Sequence, residues 1–211
     1  MFPLGLVLMP GGVLPLHVFE PRYQALVHDC LAGEPEFGVI LITRGHEVGG
    51  GDQRCSVGVR VRIVQLADLG EGRLALVCIA TDRIRIDRWL PDDPYPMAEV
   101  SAWEEPPVDH PLEQGFLDAL TTRVRRLAAL SLELGDAAGD PSQDLPDDSL
   151  LRSYALADLA PLGPVDRQRL LETPDAAARL ALLSALLDEV EPGLHFRLGD
   201  GSSPSDSPPA W

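Results

Sequence analysis

The chain has 211 residues, 45% of them apolar and 24% charged, which is enough to bury a core without metal or disulfide staples. All 17 basic residues are arginine, against 33 acids, and the net charge is −16. The missing lysine excludes a P-loop, a Schiff-base nucleophile and a Ser-Lys dyad built from this chain. The acidity makes nucleic acid and anionic membrane surfaces poor partners.

The stretch from Met1 to Phe19 is apolar enough to suggest a signal peptide or a span. Pro3, Pro10 and Pro15, with Gly5, Gly11 and Gly12, break any such helix, and there is no positive n-region. Leu4–Met9 and Val13–Phe19 read instead as two short strands around the turn Pro10-Gly11-Gly12. Pro21 then opens a helix whose apolar stripe is Tyr23, Leu26, Val27, Cys30 and Leu31, with Gly33 as its stop. Phe37–Ile42 is a continuous strand run, followed by a loop around Gly49–Gly51. Val57, Val59, Val61 and Ile63 alternate with polar or small residues, as in a half-buried strand. Leu74–Ala80, the alternating Ile84 and Ile86, and Tyr95–Trp103 complete six or seven strands, which predict a closed or nearly closed barrel.

The second half reads as helical. Pro111 opens a helix with a face of Leu112, Phe116, Leu120, Val124, Leu127 and Leu134. Residues 135–149 form a loop rich in Asp, Gly, Pro and Ser. Helices follow over Leu150–Leu159 and Pro164–Glu172. A third starts at Thr173-Pro174-Asp175, with Thr173 as N-cap, and carries Leu180, Leu183, Leu187 and Val190 to about Glu191. The organisation expected is a barrel subdomain over 1–103, a helical bundle over 104–193, and a disordered tail over 194–211. Residues 1–103 carry 9 arginines and 13 acids, a net −4; residues 104–211 carry 8 and 20, a net −12.

Catalytic patterns are missing: there is no GxSxG, no HExxH, and no pair of histidines three or four apart. Gly70-Glu71-Gly72-Arg73-Leu74-Ala75 matches a dinucleotide fingerprint in letters only. It opens no helix and reads as a hairpin turn. The acids from Asp136 to Asp148 lack the order and glycine of a calcium loop and read as solvated. Cys30, Cys55 and Cys78 form no CxxC pair and read as small buried hydrophobes in a reducing, cytoplasmic compartment. No metal or cofactor is indicated.

One segment is distinctive. Phe2-Pro3-Leu4, Leu8-Met9-Pro10-Gly11, and Leu14-Pro15-Leu16-His17-Val18-Phe19-Glu20-Pro21-Arg22-Tyr23 resemble the opening of the Lon protease N-terminal domain. Phe37–Leu41, Val57-Gly58, Gly72-Arg73, Arg83–Ile86, Leu156-Ala157, Leu170–Glu172 and Arg179-Leu180 extend the resemblance to about residues 2–191. It implies an α+β fold: a PUA-like β pseudobarrel with one inserted helix, followed by a helical bundle. It also implies a stand-alone substrate-binding-domain protein, without the ATPase or peptidase modules, which recognises unfolded or extended polypeptides and is associated with a protease assembly.

Read from the residues, the motif is largely scaffold. Pro15 and Pro21 restrict the chain, Arg22 is within reach of Glu20, and Phe19 and Tyr23 are packing aromatics. Phe19, Glu20, Arg22 and Tyr23 are the candidate polypeptide contacts. The alternative is docking of one folded partner on the acidic half through Asp147, Asp148, Asp188 and Glu189. An RNA-binding role rests on fold analogy alone and is opposed by the charge.

Overall fold

The chain turns from strand to helix where its apolar period changes from 2 to 3.6. The structure, a computed structural model, describes residues 1–45, 53–106, 113–136 and 139–201. The expected loop at Gly49–Gly51, the helix start at Pro111 and Leu112, and residues 202–211 of the expected tail lie outside these.

The sheet has six strands: β1 (Phe2–Leu4), β2 (Val13–Val18), β3 (Glu36–Arg44), β4 (Gln53–Asp68), β5 (Leu74–Trp89) and β6 (Ala98–Ala102). Its order is β1-β3-β4-β5-β2, with β6 also pairing β5. Among the described residues β1–β3 is the one parallel pairing, and the others are antiparallel. The sheet curls, and β1 and β2 stand at the two ends of its path, so the barrel is a pseudobarrel. Both end strands carry a proline, Pro3 and Pro15, a residue that an edge tolerates because it has no amide hydrogen to donate.

Leu4–Met9 is not one strand. The chain bends at Gly5–Leu6, and Val7, Leu8 and Met9 pack into the core outside the ladder. The runs at Leu74–Ala80 and Ile84–Ile86 are one strand, and β4 extends beyond Val57–Ile63 at both ends. Pairing between β4 and β5 continues past the buried part, because ladder bonds do not need burial. These two strands meet in the turn Gly70-Glu71-Gly72, all three at positive φ, with Leu69 N–H donating to the Arg73 carbonyl at 2.9 Å. At Gly58 the barrel is too tight for a side chain, since a Cβ there would collide with the Val39 carbonyl oxygen.

Helix α1 (Pro21–Ala32) sits between β2 and β3, with proline at its start. It buries Tyr23, Leu26 and Val27, whereas Leu31, expected on the same stripe, is exposed one turn later. Cys78 is buried, but Cys30 and Cys55 are only half-buried.

The helical half comprises α2 (Gln114–Glu133), α3 (Ser149–Leu159), α4 (Pro164–Leu171) and α5 (Ala176–Gly201). The buried face of α2 is Leu117, Leu120, Val124, Leu127, Ala128 and Ser131. Phe116, expected on this face, is 40% exposed; Leu117 at 4% takes its place, one residue round the helix. Asp175, not Thr173, caps α5: its Oδ1 accepts from Ala178 N–H at 2.7 Å, while the Thr173 hydroxyl donates back to the Leu170 carbonyl. α5 also passes the expected stop, running through Pro192 and Gly193 to Gly201. Burial of Leu194 and a two-pronged Arg197–Asp136 pair, at 2.8 and 2.9 Å, hold the helix past the proline. One apolar cluster joins barrel and bundle, and Gln168 of α4 donates to the Val57 carbonyl of β4 at 3.0 Å.

Candidate functional site

The seam between the two end strands opens as a groove of about 220 Å³. Phe2 and Leu4 of β1 form one side, and Leu16 and Val18 of β2 form the other. Phe19, Glu20 and Tyr23 close its end, where strand turns into helix. Three of the four motif residues singled out in the sequence therefore come together here.

Their roles differ. Tyr23 is 3% exposed and stacks on Phe2 at 4.0 Å between ring centroids, so it supports the groove from within. Glu20 does not use its carboxylate to cap α1. Arg22 takes it at 3.0 Å and lays its guanidinium over the Tyr23 ring at 4.5 Å. Arg22 thus works as a brace. Phe19 is the exception: 59% of its surface faces water, although a phenyl ring so placed gives up its transfer free energy. Its backbone is nonetheless held, since Gln24 donates from one amide nitrogen to the Phe19 carbonyl, at 3.0 Å, and to the Gly72 carbonyl of the β4–β5 turn. Gln24 lay one position beyond the distinctive run, and nothing in its spacing marked it.

A second arrangement was also hidden from the sequence. The alternation around Ile84 and Ile86 puts Arg83 in solvent, yet Arg83 is fully buried. A register shift between Val59 and Val61 sets Arg83 opposite Val59, which is buried. There it donates to the carbonyls of Leu171 and Thr173, at 2.8 and 2.5 Å, and pairs with Glu105 at 2.6 Å. Its guanidinium also lies 4.4 Å from the Trp103 ring. Arg179 of α5 is equally buried, 3.6 Å over the Tyr154 ring and hydrogen-bonded to Ser153 at 2.7 Å. Burial lowers Arg179 to about 10, still charged at neutral pH, and raises the Tyr154 hydroxyl, which is hydrogen-bonded to Glu105.

The four acids proposed for docking lie apart in sequence, two just before α3 and two midway along α5. Asp147 is 3.5 Å from Arg152, and Asp148 caps α3 by accepting from Leu151 N–H at 2.9 Å. Asp188 pairs with Arg123 at 2.7 Å. Glu189 is exposed and has no ion pair among the described residues. Among those same residues no three His, Cys, Asp or Glu side chains gather as a metal site, and no helix is long and apolar enough to cross a membrane.

With this geometry in view, comparison with known proteins is specific. Residues 1–189 match the family described as the ATP-dependent protease La (LON) substrate-binding domain. Lon protease of Anaeromyxobacter dehalogenans is 30% identical over 187 residues, and Lon protease 2 of Myxococcus xanthus is 31% identical over 187. Each alignment covers 86% of this chain and 22% of the relative, so the chain spans about a fifth of those proteases. Among solved structures, the Lon N-terminal domain protein from Xanthomonas campestris is 33% identical, with a TM-score of 0.66, covering 87% of this chain and 95% of that one. The N-terminal domain of Mycobacterium avium complex Lon protease shares the fold at 22% identity and a TM-score of 0.53, covering 90% of this chain and 96% of that domain. The α+β pseudobarrel with its helical half belongs to the Lon substrate-binding domain family.

Proposed function

We propose that the chain is a non-catalytic recognition module that binds unfolded or extended polypeptides across the groove between β1 and β2. The observation that carries this reading is Phe19, a large apolar side chain held in water at the mouth of an apolar groove by a fixed backbone. Such a residue adds nothing to the fold and is suited to a partner's apolar side chain. The prolines in both end strands leave little room for continuous strand addition. Side-chain capture in the groove is therefore the main mode. The three unpaired cysteines suit a reducing, cytoplasmic setting.

Docking of a folded partner on the acidic helical half is the weaker reading. Three of its four acids are already committed to Arg152, the α3 N-terminus and Arg123. Phe19→Ala tests the choice. It should weaken binding of a fluorescently labelled unfolded client by at least about tenfold, because truncating a central aromatic anchor costs roughly 2 kcal/mol. Its melting temperature should stay within a degree or two of the parent, as for a surface substitution. Unchanged affinity would remove the groove from the account.

A further inference from the structure

A second cleft, of about 400 Å³, lies between the turn joining β1 to β2 and the helical half. Met9 and Val13 approach it from the barrel, and Leu151 and Tyr154 from α3. Its charged lining is acid only: Asp144, from the α2–α3 loop, and Asp158, late in α3. Asp144 is exposed and has no hydrogen bond or ion pair among the described residues. Arg167 reaches Asp158 from outside the cleft, donating to Oδ1 at 2.9 Å, and spends its other nitrogens on the carbonyls of Leu162 and Ala160. Two other arginines lie nearby: Arg152 is turned to the Pro146 carbonyl and Asp147, and Arg125 donates from Nη2 to the Gln143 carbonyl at 2.9 Å.

A cleft of mixed lining, with apolar side chains in its walls, carboxylates at its rim and no guanidinium among its described lining residues, suits a side chain with a long apolar stem and a cationic head. A neutral apolar side chain would partly desolvate Asp144 with nothing in return. An acidic one would be repelled. β2 links this cleft to the groove, for Val13 lines the one and Leu16 to Val18 line the other. At about 3.3 Å per residue, an extended segment laid along β2 covers that distance in roughly five residues.

Resting on the polypeptide-recognition reading, we infer that the cleft is a second anchor for the same client, taking a lysine or arginine about five residues from the apolar side chain held in the groove. The client class is thereby narrowed to unfolded segments that combine an apolar and a basic residue at that spacing.

The test uses the full chain and fluorescein-labelled Gly/Ser peptides, each with one Phe and, five residues away, Lys, Gln or Glu. A fourth peptide places Lys beside Phe. Binding is followed by anisotropy. The spaced Lys peptide should bind about fivefold tighter than the Gln peptide, the scale of one favourable ion pair. Glu should be weaker still, and adjacent Lys should give no advantage. Asp144→Asn should bring Lys and Gln together, whereas Phe19→Ala should weaken all four alike. Equal binding of the Lys and Gln peptides to the parent, or a gap that survives Asp144→Asn, overturns the inference and leaves the groove standing. If no peptide binds the parent, the recognition reading fails and takes this inference with it.

Discussion

Arg83 and Arg179 are held out of water with one carboxylate, Glu105, between them. Carbonyl oxygens of the α4–α5 turn and the faces of Trp103 and Tyr154 make up part of the lost hydration. Arg83 Nε, Arg179 Nη2 and one Glu105 oxygen remain without hydrogen bonds. Such a cluster is poor value as stability but severe when broken, because removing one member strands the others. Arg83→Ala should lower unfolding free energy by about 3–5 kcal/mol, read from the denaturant midpoint at unchanged m. A loss below about 1 kcal/mol would mean that water already reaches the site. No pattern of residue types announced this cluster. In the alternation around Ile84 an arginine reads as solvent-facing, and only the register shift beside Val59 turns it inward. Phe19 was legible as a candidate because the whole run around it is distinctive. Its exposure was not, since an aromatic beside Val18 and Tyr23 reads equally well as core.

At the scale of elements, the strands were legible where alternation meets burial and illegible where it does not. β4 and β5 outrun their buried segments because backbone pairing sustains them, and the apolar pattern carries no trace of that. α5 was read too short for a related reason: Pro192 and Gly193 are strong local stops, and tertiary contacts override them. Those contacts titrate. The Arg197 hydrogen bond holds Asp136 below its ordinary 3.8, and Arg123 holds Glu191 below its ordinary 4.5. Folded-state values depressed in this way stabilise above the unfolded pKa and lose that contribution as pH falls through the folded one. Amide protection in the last turns of α5 should therefore drop as pH is lowered below about 4, before protection in the barrel is lost. Asp136→Asn should lower it already at neutral pH. Protection of α5 that is level from pH 7 to 3 would contradict this.

On the scale of the whole molecule, the charge asymmetry takes on a meaning that the composition alone did not give. Much of the acidity in the helical half is answered internally, by Arg123, Arg126, Arg152, Arg167 and Arg197. Among the described residues, the Asp144 side chain at the cleft is left without a partner, as are those of Glu104, Glu113, Glu133 and Glu189 elsewhere on the surface. The barrel supplies the apolar groove, the helical half supplies the acidic wall of the cleft, and β2 runs between them. An arrangement of this kind favours a chain that can be laid out along a strand's length over a folded surface that cannot.

The most direct measurement is a titration of one fluorescent client, prepared both unfolded and native, into the full chain at low and moderate salt. The account predicts binding of the unfolded form only. Because apolar contact in the groove carries most of the affinity, moderate salt should weaken it only a few-fold. Equal affinity for the two forms, or binding abolished by moderate salt, would contradict it and point to docking on the acidic half.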